Sequence, residues 1–217
     1  MRRRGWIENG WSTSNGNVIL VYSWFQCASP LSKKSIDGIL IDWIPFFPLC
    51  VKATMSDLKT IFSVLDFTRD RLMGSLDGIE RSGQDIQTVL AWRPGAGRAH
   101  IAWQAMHCAA THDRYVNVRI KGGEPMDFSL CEAYGGGSTP SDLNIPSLTS
   151  IREKLAVNYD AFKTFLSSAD LSIVTDFPNN IQRTIAESAI LLAWHEAHHQ
   201  GQIHLTWNMY KATHGVV

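Results

Sequence analysis

The amino-acid sequence predicts an all-α fold: a four-helix bundle with a long crossover between its second and third helices. Three observations carry that expectation. From Met55 onward, apolar residues recur at helical spacing in four separate stretches. Over the same region, runs with the alternation and residue types of strands have little support. Residues 122–149 contain GGEP, YGGGSTPSD and NIPS, too much Gly and Pro for a regular element and too long for a simple hairpin. A connection of that length can return the chain to its starting end and leave the second and third helices roughly parallel.

The first helix is expected over residues 56–79. Leu58, Ile61, Phe62, Leu65, Leu72, Leu76 and Ile79 make its stripe, and Ser56 or Asp57 can cap its N-terminus. Trp92-Arg93-Pro94-Gly95 breaks the chain. The second helix then runs from Arg98 to Ile120 and stops at Gly122-Gly123. Ser150 and Glu153 have the spacing of a capping box and open the third helix, with Ile151, Leu155, Tyr159, Phe162 and Leu166 on one face. Phe177-Pro178-Asn179-Asn180 ends the next loop. The fourth helix is expected over residues 181–211, with Thr184 and Glu187 in its first turns.

Residues 1–54 differ in character. They hold Trp6, Trp11, Trp24 and Trp43, no histidine, and two short apolar runs, VILVYSWF and ILIDWIPFFPL, punctuated by Pro30, Pro45 and Pro48. The stretch between MRRR and the first apolar run is long, polar and carries Glu8, which argues against a secretory signal. Residues 1–54 are expected to be an N-terminal extension, poorly ordered or a start-site artefact, and residues 55–217 to form the domain.

Composition narrows the function. The 217 residues are 45% hydrophobic, enough for one ordinary domain with a proper core. Twenty basic and twenty acidic residues leave a formal charge of zero, without the basic footprint of a nucleic-acid binder. Cys27, Cys50, Cys108 and Cys131 are scattered with no C-x-x-C pair, which fits neither a zinc knuckle nor a disulfide scaffold and suits a reducing cytosol. No apolar run approaches the ~20 residues of a membrane-spanning helix. A cytoplasmic protein without nucleic-acid or membrane partners is expected.

The informative stretch is WHEAHHQGQIH at residues 194–204, which holds four of the eight histidines. Its row Ile181, Ile185, Ser188, Leu192, His195, His199, Gln202, Thr206 continues an inward stripe through two histidines. A spacing of i, i+4 stacks their rings ~5–6 Å apart at Cβ, able to point at one ion. The start also fits the H-E-x-x-H of zinc peptidases. The extended peptidase form needs glycine at 202 and histidine at 205, whereas glycine stands at 201 and histidine at 204. No Asp or Glu follows Glu196, so the peptidase reading lacks its third ligand. That ligand is expected from the second helix, which offers His100, His107 and His112; His107, mid-helix among Ala105, Met106, Cys108 and Ala109, is the one suited to burial, with His100 as the substitute. His112, His198, His204 and His214 read as surface or supporting residues. Glu196 is offset about 100° around the helix from His195, a flank position from which a glutamate in peptidases reaches metal-bound water, so it is a candidate base. Gln202, on the histidine row, is a candidate hydrogen-bond donor to the site.

The stretches AWRPGAGRAHIAWQAMHCAATHDRYVNVR and WHEAHHQGQI together resemble the DinB-like (YfiT-like) metalloenzymes, four-helix bundles, over roughly Met55 to Gly215. The resemblance implies one metal histidine at His107 and two at His195 and His199, just ahead of Gly201-Gln202. The family commonly has Arg before that Gly-Gln pair, where this chain has Gln200. Characterised relatives imply a thiol S-transferase or isomerase using a low-molecular-weight thiol. The expected function is a metal-dependent enzyme, most concretely a thiol S-transferase acting on a small molecule with a divalent metal, Zn or Ni, and a homodimer. A non-catalytic, metal-stabilised stress or binding protein and a metal-dependent hydrolase are the alternatives.

Overall fold

The computed structural model describes residues 55–177 and 181–216; the expected extension, 1–54, lies outside the described residues. Helix α1 (Met55–Arg81) buries the predicted stripe through Ile61, Leu65, Leu72, Leu76 and Ile79. Ser56 and Asp57 fall inside its first turn instead of ahead of it. A short helix not foreseen, α2 (Ile86–Ala91), follows; Asp85 caps it by accepting from the Thr88 N–H, and Val89 and Leu90 bury its inner face. Helix α3 (Ile101–Asp113) starts later than expected, because the His100 side chain caps it by accepting from the Trp103 N–H. The backbone continues as a π-helical segment, Arg114–Ile120.

The crossover expected to be irregular contains a further helix, α4 (Phe128–Tyr134). Asp127 caps it by accepting from the Leu130 N–H at 2.9 Å, and Leu130 and Cys131 enter the core. Seven residues between two glycine runs are too few to display a period, which is why composition alone hides this element. Helix α5 (Leu148–Ser168) opens at Ser147, whose side chain accepts from the Ser150 N–H, so the Ser150–Glu153 capping box does not form.

Two strands also correct the expectation: β1 (Val174–Phe177) pairs antiparallel with β2 (Ile181–Thr184), Val174 opposite Thr184 and Phe177 opposite Ile181. They precede α6 (Ile185–His214), which therefore begins four residues later than predicted. A reciprocal capping box sets that start. The Thr184 hydroxyl accepts from the Glu187 N–H at 3.1 Å, and the Glu187 carboxylate accepts from the Thr184 N–H at 2.7 Å. Residues ahead of the cap are free to pair as a strand. Gly215, at φ 66°, closes the C-terminus in the left-handed conformation.

The buried apolar side chains fall into two clusters; α1, α5 and α6 contribute to both, and α3 with its π-helical continuation does the same. Ile61 and Leu65 of α1, Tyr115 and Val116 after α3, Phe162 and Leu166 of α5, and Ile185, Ala189 and Leu192 of α6 share one. Leu72, Leu76 and Ile79 of α1, Ile101 and Ala105 of α3, Ile151 and Leu155 of α5, and Ile203, Trp207 and Tyr210 of α6 share the other. Helices α1 and α6 thus run from the first cluster to the second, and α3 and α5 run the opposite way. The order up, down, down, up places the second and third long helices parallel, and the fold is the all-α bundle with a crossover, decorated by a hairpin and two short helices. At the junction of the clusters the helices bury polar side chains: Arg69, His112, Asn158, Glu196 and His199.

Candidate metal centre

His107 comes from the middle of α3, and His195 and His199 from successive turns of α6, which packs on α3 in the opposite direction. One ring nitrogen from each lies within 4.8 Å of the others. Ring centroids are 5.0 Å apart for His107–His195, 4.8 Å for His107–His199 and 4.5 Å for His195–His199. The three imidazoles are brought together from two helices.

Hydrogen bonds define which nitrogen of His107 is available. Its Nδ1 lies 2.5 Å from the carbonyl oxygen of Tyr134, which can only accept, so Nδ1 carries the proton and Nε2 carries a lone pair. That Nε2 is 3.2 Å from Nε2 of His195. The indole of Trp103 stacks on the His107 ring at 4.7 Å with an interplanar angle of 8°, fixing its plane. Nδ1 of His199 is buried without a hydrogen-bond partner among the described residues. A buried imidazole nitrogen left without a protein partner asks for some other group to satisfy it.

Burial also sets the protonation. It pushes His199 down to about 2 and His195 down to about 3, with the neighbouring imidazoles adding to the effect. Burial lowers His107 too, assisted by the Arg114 charge and opposed by the hydrogen bond to Tyr134. All three rings are neutral at pH 7, the form that ligates metals. Three neutral nitrogen donors, one held in a fixed tautomer and one with an orphaned atom, form a group that could hold a metal ion.

The remaining sequence-predicted residues are placed elsewhere. His100 is not free to substitute for His107: Nδ1 accepts from the Trp103 N–H, and Nε2 donates to the Ser141 carbonyl at 2.9 Å. Glu196, read as a flank residue, is only 1% exposed, because α6 packs on α1 and α3 with different faces. Its two carboxylate oxygens accept from Nε and Nη2 of Arg69 at 2.6 and 2.9 Å. Gln202 is exposed and pairs with Nε2 of His198 at 2.9 Å, and as an acceptor toward the His199 ring it opposes the downward shift of that histidine. His198 is exposed and stacks on Trp194; His204 and His214 are exposed as well. Gln200 donates to the Ser75 hydroxyl at 3.4 Å. Cys108 and Cys131 are buried free thiols that burial pushes upward, Cys131 to about 12, so neither supplies a thiolate near neutral pH.

Three contributors escape the sequence reading. Tyr134 acts through its backbone carbonyl and leaves no side-chain signal. His112, read as surface or supporting, is 1% exposed, stacked on Phe162 at 5.0 Å, with Nε2 3.5 Å from a Glu196 oxygen. Arg69 did leave a signal: it falls between Leu65 and Leu72 on the inward stripe of α1, where a charge is out of place.

The family model described as the DinB superfamily matches residues 65–203, a span that includes all three histidines. No curated protein and no solved structure matches the chain. Among the described residues, no helix is long and apolar enough to cross a membrane.

Proposed function

The chain belongs to the DinB superfamily, and from that premise we propose that residues 55–217 form a metal-dependent enzyme domain with His107, His195 and His199 as the metal ligands. The observation that carries the reading is the convergence of three ring nitrogens, with no fourth protein donor in the group among the described residues. Glu196 and His100, the two further donors that the sequence offers, are both engaged elsewhere. Three protein ligands leave a coordination position for a substrate, the arrangement of catalytic sites as opposed to structural ones.

A divalent ion there, Zn or Ni, supplies Lewis acidity that lowers the pKa of a thiol or a water brought to it. The chain's own residues do the rest. The Tyr134 carbonyl holds the His107 tautomer, Trp103 holds its ring plane, and burial keeps all three imidazoles neutral. Within this reading the reaction is S-transfer. A low-molecular-weight thiol gives up its S–H proton to solvent, its sulfur forms the S–C bond to a small electrophile, and the C–X bond breaks as the leaving group departs with the electron pair. The buried cysteines of the bundle point to an external thiol. A homodimer belongs to the same proposal, supported by exposed Ile190, Trp194 and Leu205 on one side of α6.

The test starts from the purified full-length chain. One divalent ion per chain is expected, falling to background in the His195→Ala/His199→Ala double variant. Metal-dependent turnover is expected with one member of a thiol panel and a chlorinated aromatic electrophile. Unchanged metal content in the double variant removes the site. Bound metal without turnover for any thiol replaces the enzyme with a metal-stabilised binding protein.

A further inference from the structure

We propose that Arg69 and Glu196 are positioning residues for the three-histidine site: their buried pair fixes α6 against α1, His112 brings α3 to the same carboxylate, and the two ligand-bearing helices are thereby held in register, with Glu196 unable to act as a base. The proposal rests on the metal-site reading above and deepens it. Arg69 and Glu196 are 7% and 1% exposed, and the guanidinium meets the carboxylate with two parallel N–H···O bonds. The third guanidinium direction is also used, Nη1 donating to the Leu155 carbonyl of α5 at 2.6 Å. The Tyr159 ring covers the cation at 4.3 Å from its centroid, and the Tyr159 hydroxyl donates in turn to Asp66 at 2.7 Å, which also pairs with Lys163. On the other side His112 of α3 brings Nε2 to 3.5 Å from Glu196.

All four long helices therefore meet at one buried ion pair, α5 through the guanidinium and α3 through the carboxylate. What makes this more than a structural ion pair is where it lies in the chain. Glu196 directly follows His195 and precedes His199 by three residues, and His112 follows His107 by five, on the same helix. Each helix that supplies a metal ligand also supplies a partner to this polar centre. A rotation or slide of α6 against α3 would move both sets together. A planar fork held by three fixed acceptors resists such a motion better than apolar packing, which tolerates slippage. Apolar packing alone has no such directional requirement at this level, since the two apolar clusters lie on either side of it.

A buried ion pair is weak evidence of stability, because desolvation offsets the attraction, and replacing both partners by apolar groups is often neutral or stabilising. That separates positioning from folding in one experiment. The apolar pair Arg69→Met/Glu196→Leu and the single Glu196→Gln are compared with wild type in the full chain. Thermal unfolding reads the fold, Co2+ titration reads affinity, and the visible spectrum of bound Co2+ reads ligand geometry. The apolar pair is expected to unfold no more easily than wild type while binding Co2+ about 10- to 100-fold more weakly, the usual effect of removing outer support from a metal site, with an altered spectrum. Glu196→Gln is expected to weaken binding in the same direction. Wild-type affinity and spectrum in the apolar pair overturn the proposal. So does a Glu196→Gln variant that binds Co2+ as wild type does but loses the acidic limb of a pH–rate profile, since that is the behaviour of a base. A wild-type chain that takes up no Co2+ instead removes the metal site itself, a result distinct from either.

Discussion

The carbonyl of Tyr134 and Nδ1 of His107 are 2.5 Å apart, a contact made across the crossover by a residue that carries no ligand of its own. It depends on the turn that follows. Gly135 caps the end of α4 with its N–H bonded to the Cys131 carbonyl, and a Cβ at that position would meet the Cys131 oxygen at 2.3 Å and Nη1 of Arg114 at 2.6 Å. The first of these is backbone and cannot swing aside. Gly135→Ala is therefore expected to destabilise the fold by about 1–3 kcal/mol, the usual cost of forcing atoms into a filled space. It should also weaken metal binding, because the displaced carbonyl no longer holds the His107 proton on Nδ1. Urea unfolding together with a metal titration checks both, and a stable variant with unchanged affinity contradicts the assignment of Tyr134 as the orienting group.

His100 and His107 both come from the start and middle of one helix, but their nitrogens are committed differently. His100 is a cap: one nitrogen accepts from the Trp103 N–H and the other donates to Ser141. His100→Asn keeps a cap-forming side chain and is expected to fold close to wild type, whereas His100→Ala should lose about 1 kcal/mol. Neither should change the metal stoichiometry, while His107→Asn should abolish it. Metal content measured alongside thermal unfolding distinguishes them; loss of metal in His100→Asn with a normal melting transition would move the ligand from His107 to His100.

The parts of this fold that sequence makes visible are those that repeat. The stripe of α1 from Leu58 to Ile79 and the face of α5 from Ile151 to Leu166 announce themselves through helical period, and His195 and His199 through their spacing on the inward row. What stays hidden is short or acts through the backbone. The four-residue strands at 174–177 and 181–184 and the seven-residue α4 have no room to display a pattern. The Tyr134 carbonyl is independent of the side chain that bears its name. Glu196 is a different kind of miss. Its azimuth on one isolated helix points to a flank, and only the packing of α6 between α1 and α3 turns that flank into interior. The charge that compensates it, Arg69, sits on another helix 127 positions earlier, a pairing that periodicity along one helix cannot reveal.

Acid should expose the histidine core before it titrates the carboxylates. Burial holds His112 and His195 at about 3 and His199 at about 2, and also lowers His100 and His107, whereas the same side chains in the unfolded chain take up protons near 6.5. Between those limits the unfolded state binds more protons than the folded one. Their folded pKa values are depressed, so the stability attached to their neutral forms is fully present above about 6.5 and is lost as pH falls toward 3. Each histidine that stays neutral in the fold and charges on unfolding steepens that loss by up to roughly 1.4 kcal/mol per pH unit. Asp66 and Asp127, lowered chiefly by their Lys163 and Lys154 partners, add a further loss only at lower pH, from about 4 downward. The metal-free chain is thus expected to show a urea midpoint that begins to fall between pH 6.5 and 5, with the carboxylate contribution appearing below that. Bound metal, which also requires neutral rings, should make the decline steeper. The measurement is a series of urea unfolding curves from pH 8 to 4 with and without a divalent ion. A midpoint that stays level from pH 7 to 5 would mean that the buried imidazoles meet protons as readily in the fold as outside it, which contradicts their burial between α3 and α6.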